Sequence, residues 1–375
     1  MIWFSMLVPF IAIFFMALLK IRWFFYPIGL VLTPIIIGLF QHAGEKSLVN
    51  DTEYWTGYIQ TAEKYEAWDE MVSCRHPKYK TVTTIRNGKA ETTQVQDGYH
   101  HLYDVDYHPE HYQCIDNNQI IFNIDSHKFE QLAQKFGNKG FVNLHRHFHT
   151  INGNKYETKF PNNKYDLMEV CCHTHTYENR IVASNSILKY PKVEEITKKQ
   201  YGLFDYPEVT GYYDCPSLLG LNDSVGSRRL DILNAKYGRF KQIRVWIVVF
   251  HDQPLDAGFQ QMNYWQGGNK NELVVCIGLQ EEKVQWGHVF SWTEVESIKT
   301  NTKQLIEDQE DKPLDIVKII DKMDSLIYYE WQRRNFKDFE YLSVETPGWS
   351  ILWSFIVVLF VNGLLIFGLY KMEQS

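Results

Sequence analysis

The sequence predicts an α+β membrane protein: three transmembrane helices, a β-rich meander module and, after it, a small α/β module. Three observations carry this prediction. Uncharged apolar runs occupy residues 1–19, 23–40 and 349–370. Turn dipeptides punctuate β-type segments between residues 79 and 176. Beyond Pro216, nearly continuous apolar stretches alternate with helical spacing.

A helix needs roughly 20 apolar residues to cross about 30 Å of hydrocarbon. The first and third runs meet that length, and the second is marginal at eighteen. A cleaved signal peptide would want a basic start and a small-residue cleavage site. The start, Met1-Ile2-Trp3-Phe4, has no basic side chain, and Lys20 and Arg22 follow the run instead, so an uncleaved span is expected. Short basic flanks mark the cytoplasmic side. Lys20 and Arg22 lie between the first two spans, and Lys371 follows the third. The bulk, residues 41–348, is therefore expected on the periplasmic or extracellular side of an inner or plasma membrane. Outside the spans and their flanks stand 35 basic and 44 acidic residues, a net charge near −9. That balance argues against nucleic acid, whose phosphates need a basic surface.

Residues 80–86 and 89–96 flank Asn87-Gly88, the strongest short hairpin signal. Asp97-Gly98 is read as a second turn, into residues 99–107. Segments 111–115 and 119–124 flank Asp116-Asn117-Asn118. Phe129, Leu132 and Phe136 share one face of a helix opening at Ser126 and closing before Gly137. Another hairpin, 141–151 with 155–160, turns at Asn152-Gly153, and 167–176 is a further strand. The β-rich module thus runs over residues 41–215.

The α/β module covers residues 216–300. Leu230, Leu233 and Tyr237 define a helix over 224–237. Residues 243–250 read as a strand buried on both faces. Pro254 opens a helix closed by Gln266-Gly267-Gly268, and strands follow at 272–280 and 283–292. Strand, helix, strand is a βαβ unit. Residues 303–342 are read as an amphipathic helical stalk, with Ile316, Ile319, Ile320, Met323 and Ile327 at helical spacing, expected to pack on the domain before the chain re-enters the membrane.

Residues 224–292, and most closely Tyr264-Trp265-Gln266-Gly267-Gly268-Asn269-Lys270-Asn271-Glu272-Leu273-Val274-Val275, resemble the TPM-type domain. That resemblance implies an α/β fold, often membrane-tethered. The family usually carries Asp-Asn-Gly before its second core strand, where this chain reads Lys270-Asn271-Glu272. The acid that a phosphatase or calcium role needs is thus missing. Tyr107-His108-Pro109-Glu110 and the Gly267–Leu273 stretch also resemble membrane proteins of Bacteroidetes-type bacteria and their tailed phages, a likeness that implies no particular activity.

Ten of the fourteen histidines fall between His100 and His175. His145, His147 and His149 alternate, as do His173 and His175, so each set projects from one strand face. Were the two strands paired, these imidazoles could hold zinc; a solvated polar face is the simpler account. Asp104, Asp106, His108 and Glu110 form a second cluster, suited to calcium or, more simply, to a charged strand edge. Gly267-Gly268-Asn269 could cradle an anion or merely end a helix. Asn362, polar inside the third span, is expected in helix packing. Six cysteines permit disulfides outside the cytoplasm, with Cys74–Cys114 the first pair expected and Cys276 a buried thiol.

Together these features predict an extracytoplasmic interaction or structural protein, non-enzymatic, with the lipid bilayer and a protein partner or a second copy as its contacts. The alternatives are a metal-dependent, phosphatase-like hydrolase and a subunit of a multi-span assembly.

Overall fold

The computed structural model describes residues 2–86, 89–142, 154–162, 164–184, 190–208 and 216–374, with the side chains of 2–4, 69–77, 84–86, 89–91 and 98–106 left aside. The chain opens with helices α1 (Ile2–Leu18) and α2 (Pro27–Val49). Strands β1 (Asn50–Tyr65), β2 (Trp68–Arg86), β3 (Lys89–His108), β4 (His111–Asp116) and β5 (Ile121–Asn123) follow, then α3 (Ser126–Phe136). Next come β6 (Gly140–Val142), β7 (Lys155–Lys159), β8 (Val170–Glu178), α4 (Arg180–Ala183) and α5 (Glu195–Tyr201). The second half holds β9 (Leu218–Leu219), α6 (Ser224–Gly238), β10 (Arg244–His251), α7 (Asp256–Tyr264), β11 (Glu272–Gln280) and β12 (Lys283–Phe290). Helices α8 (Glu296–Glu307), α9 (Ile316–Glu330) and α10 (Gly348–Gln374) complete the mixed α+β fold.

α1, α2 and α10 pack together, with Val8, Ile37 and Val358 in one contact cluster and Ala12, Met16 and Leu369 in another. Between α2 and α10 the seam is small and polar. Thr33, Ser350, Ser354 and Asn362 are buried there. Asn362 Nδ2 donates to Thr33 Oγ1 at 3.3 Å and to Val358 O at 2.9 Å. Gly29 makes room for the Asn362 amide, and a Cβ on Gly44 would stand 2.7 Å from Ser350 Cβ. Close approach over small residues is how helices associate where lipid removes the hydrophobic driving force. Phe10, Phe14, Val31, Leu39, Phe360 and Phe367 meanwhile point outward and are more than half exposed. Two segments, Trp23–Val49 and Gly348–Gln374, each of 27 residues, are long and apolar enough to cross a membrane. The expected first span forms a helix of only 17 residues, shorter than those two.

β1 is the strand on which the next layer is built. Its first half pairs antiparallel with β8, and its second half lies between β4 and β7. The order is β5-β4-β1-β7-β6. α3 covers this sheet, with Phe129, Leu132 and Phe136 against Ile59, Ala62 and Phe122. Asp125 caps α3 by accepting from Lys128 N–H, and Gly137 closes it at φ 68°.

Among the described residues β2 and β3 pair only with each other, as a ribbon. The expected second turn at Asp97-Gly98 is absent: β3 runs on, and these two residues face Lys78 alone where the register shifts. One extra residue opposite a single partner is a β-bulge, which bends a strand without ending it. The expected Cys74–Cys114 bridge is not formed either. Cys74 lies on this ribbon, whereas Cys114 is a buried thiol of the α3-covered core.

The second half is a three-layer α/β unit, strand order β12-β11-β10-β9, with β9, β10 and β11 parallel and β12 antiparallel. β10 and β11 are buried on both faces, as their apolar runs require. Leu230, Leu233, Ile298, Ile306, Ile319 and Met323 from α6, α8 and α9 cover one face. Trp246, Phe250 and Trp265 pack with Leu203 on the other. The amphipathic segment packs on the domain, as expected: α9 turns its isoleucines onto the sheet core and ends at Trp331, whose indole N–H donates to Lys241 O at 3.0 Å.

β1 joins the halves. The fully buried Arg244 guanidinium donates to Thr56 Oγ1 at 2.6 Å and to Ser217 Oγ at 3.1 Å, and lies 4.2 Å from the Trp246 ring centroid. Asn271 Nδ2 donates to Tyr54 O at 2.9 Å. At Gly238 a Cβ would collide with the Thr56 carbonyl. Gly238→Ala is accordingly expected to destabilise the protein by about 1–3 kcal/mol despite alanine's better helix propensity, because α6 must back away from β1. Urea unfolding of the variant against the parent reads this directly.

Candidate functional site

A cleft of about 680 Å³ opens where the two halves meet the helical bundle. Its first wall is the start of β1, Asp51, Thr52 and Tyr54, immediately beyond the end of α2. Asn179, Ile181 and Val182 adjoin it, and the Asn179 N–H donates to Val49 O at 2.7 Å, which ties this wall to α2. Asp205, Tyr206 and Glu208 come from the segment after α5. The end of α7 and the glycine turn add Tyr264, Trp265, Gln266, Gly268 and Asn269, with Tyr190 and Trp292 closing the rim.

The turn is held from within. Gly267 and Gly268 have φ of 82° and 78°. Their N–H groups donate to Met262 O and Trp265 O, and Asn269 N–H donates to Glu272 Oε2 at 2.8 Å. These donors are spent on the helix end and on a carboxylate, so of the two readings of this turn the simpler one, a helix C-terminus, holds. Behind the turn runs a polar chain. The Tyr177 hydroxyl donates to Asp51 Oδ2 at 3.0 Å and stands 3.1 Å from Asn269 Oδ1. Asn269 Nδ2 donates to the Tyr206 oxygen at 2.8 Å, and the Tyr206 hydroxyl and Glu272 Oε1 share a hydrogen bond. Burial pushes the fully enclosed Glu272 carboxyl up to about 8. Burial, reinforced by the Asp51 charge, raises Tyr177. Asp205 is neutralised in place: Lys198 Nζ and the Tyr264 hydroxyl both donate to it at 2.6 Å and hold it below the usual carboxylate range.

Beside the cleft stands Glu53, fully buried. Its Oε1 accepts from Trp55 Nε1 at 2.9 Å and from Arg333, and lies 3.1 Å from His175 Nδ1 and 3.8 Å from Lys270 Nζ. Lys270 in turn lies 3.9 Å from the Tyr177 ring centroid, and burial lowers its pKa. This hub ties the strand after α2 to the segment before α10.

The sequence-predicted residues disperse. His145, His147 and His149 lie outside the described residues. His173 and His175 do share a face of β8, opposite Trp55 and Glu53 of β1. His175 stacks on Trp55 with centroids 4.3 Å apart, and His173 Nδ1 lies 3.6 Å from Asp116 Oδ2. Burial lowers the pKa of His173. Among the described residues no three His, Cys, Asp or Glu side chains gather to hold a metal ion. In the second cluster Glu110 pairs with Lys64 at 2.9 Å and His108 stacks on Trp68 at 4.1 Å, while the Asp104 and Asp106 side chains lie outside those described. Asn362 sits in the helix seam, as expected.

Sequence reasoning missed the cleft acids and Glu53. β1 itself went unassigned, although Tyr54, Trp55, Tyr58 and Ile59 carried a β signal. No family model matches the chain, and neither a curated protein nor a solved structure matches it. Fold and site therefore define the class: an α+β body on an apolar helical bundle, with an acidic, aromatic cleft at their junction.

Proposed function

We propose that the protein is a membrane-anchored interaction protein whose α+β body stands on the extracytoplasmic side and whose junction cleft is its ligand site. One observation carries the anchoring: the α2–α10 seam is small and polar while the outer face of the bundle is apolar, with Ser350, Ser354 and Asn362 buried and Phe10, Phe360 and Phe367 exposed. Water would select the reverse arrangement, and hydrocarbon selects this one. At 27 residues, α10 extends about 40 Å, enough to cross the hydrocarbon core. Orientation is supported by Lys20, Arg22 and Lys371 at one end of the bundle, where Arg22 Nε lies 3.3 Å from Glu373 Oε1. For the cleft, size and rigid aromatic walls support a binding role. The protein is expected to stay in the membrane pellet through an alkaline carbonate wash and to leave it only in detergent. Protease added to sealed cells is expected to digest the body. Full-length protein in the washed supernatant overturns the anchoring, and a body shielded until the cells are broken overturns the orientation.

A further inference from the structure

The geometry points to an organic ammonium ion as the ligand of the cleft, its charge held by Asp51 and Glu208 and its carbon body against tyrosine and tryptophan rings. The inference rests on the reading of the cleft as a ligand site and is independent of the membrane anchor.

The lining has one sign of charge. Among the described residues it contains three acids, Asp51, Asp205 and Glu208, and no lysine, arginine or histidine. Asp205 is already paired with Lys198. Asp51 accepts neutral donors, the Tyr177 hydroxyl at 3.0 Å, Asn179 Nδ2 at 2.7 Å and Thr52 N–H at 2.8 Å, and among the described residues no cation pairs with it or with Glu208 within 4 Å. Two carboxylates from separate elements thus line one cleft with no described cation in its wall, although the charge of Lys270, against the Tyr177 ring, also acts on Asp51. A concave low-dielectric wall concentrates such a field and draws cations into it.

The remaining surface selects the kind of cation. Aromatic rings favour a soft, weakly hydrated ammonium over a small metal ion, whose hydration shell must be replaced by several oxygens. Tyr206 packs on Trp265 with centroids 4.9 Å apart, and Tyr190 meets Trp292 edge-on at 6.1 Å, so the rings are fixed before a ligand arrives. Fixed rings spare the ordering cost that a mobile site adds to binding. The volume suits a head group with a short attached body rather than a bare ion.

Choline and its uncharged isostere 3,3-dimethylbutanol test this on the full-length protein in phosphatidylglycerol nanodiscs, read by tryptophan fluorescence. Choline is expected to give a saturable change, and the alcohol to bind about tenfold more weakly, the ratio that about 1.4 kcal/mol of charge attraction sets. Glu208→Gln, at an exposed side chain outside the polar chain, is expected to weaken choline severalfold and leave the alcohol unchanged. Asp51→Asn should do the same more strongly, with its unfolding midpoint reporting any damage to the Tyr177 and Asn179 contacts. In phosphatidylcholine nanodiscs a lost response to free choline assigns the cleft to a lipid head group, and an unchanged response assigns it to a soluble ammonium. Equal affinity for choline and the alcohol, no saturable response to choline, or full choline affinity in Glu208→Gln overturns the proposal. A protein that left the membrane pellet should still bind choline, so the two readings fail separately.

Discussion

Glu53→Ala is expected to cost about 3–5 kcal/mol of folding free energy, the range found when one partner of a buried ion pair is removed. The reason is what stays behind. Arg333 and Lys270, whose side chains are 19% and 13% exposed, lose the carboxylate they surround. Trp55 Nε1 and His175 Nδ1 lose it too. Arg333 keeps Gln242 Oε1 at 2.6 Å, and Lys270 keeps only the Tyr177 ring among its described contacts. Glu53→Gln preserves shape and one acceptor oxygen and should cost clearly less. Urea unfolding of the detergent-solubilised protein, followed by tryptophan fluorescence, separates the two. A loss below about 1 kcal/mol for the alanine variant would show that the hub is solvated rather than sealed.

The second large effect is a pH dependence that Glu272→Gln removes. Burial holds Glu272 at about 8 and, against the pull of Arg244 and Arg228, Asp231 at about 6. Unfolded, both return to the usual carboxylate range near 4. Between those limits the folded state keeps protons that the unfolded state gives up, so their contribution to stability falls as pH rises and levels off above about 8. His288 acts in the opposite sense: burial lowers it to about 4, and its contribution rises with pH until the unfolded imidazole has titrated, near 6.5. Burial raises Glu63 and Glu169, but hydrogen bonds from Lys155, Gln113 and Tyr65 to the first and from Lys128 and Lys135 to the second outweigh it, so both are lowered and titrate below this window. From about pH 6.5 to 7.5 the Glu272 slope stands nearly alone, at about 1.4 kcal/mol per pH unit, before the thiols of Cys171 and Cys276, both raised by burial, add a fall of their own as their unfolded counterparts ionise near 8.5. Glutamine keeps one acceptor oxygen for Asn269 N–H and can turn its amide N–H toward the Tyr206 oxygen, where the protonated acid places its O–H. The parent should therefore lose stability across that range while the variant stays flat. Parallel slopes would mean that the carboxyl is ionised in the folded state.

What the sequence disclosed follows the range of the interactions concerned. The α3 helix was legible at both ends, because Asp125 and Gly137 act within a turn of it. β10 and β11 were legible because burial on both faces leaves an unbroken apolar run. Asp97-Gly98 misled because the same dipeptide serves a turn or a bulge, and the partner strand decides which. α9 gave its apolar stripe and its place on the domain but not its partners there, since a stripe states that a face is buried and not against which residues. The alternation of His173 and His175 was read correctly, yet their partners Asp116 and Glu53 lie more than fifty residues away in the chain. For the same reason the cleft was illegible: Asp51, Asn179, Tyr206, Trp265 and Trp292 meet only once both sheets are docked on β1.

The passage from α2 to β1 has a mechanical consequence. Val49 ends the helix and Asn50 begins the strand, with no linker between them. A joint without slack cannot swivel, so torque on the helix is delivered as torsion along the strand that anchors both sheets. The mouth of the cavity keeps a fixed heading with respect to the bundle, and tilting one obliges the other to follow.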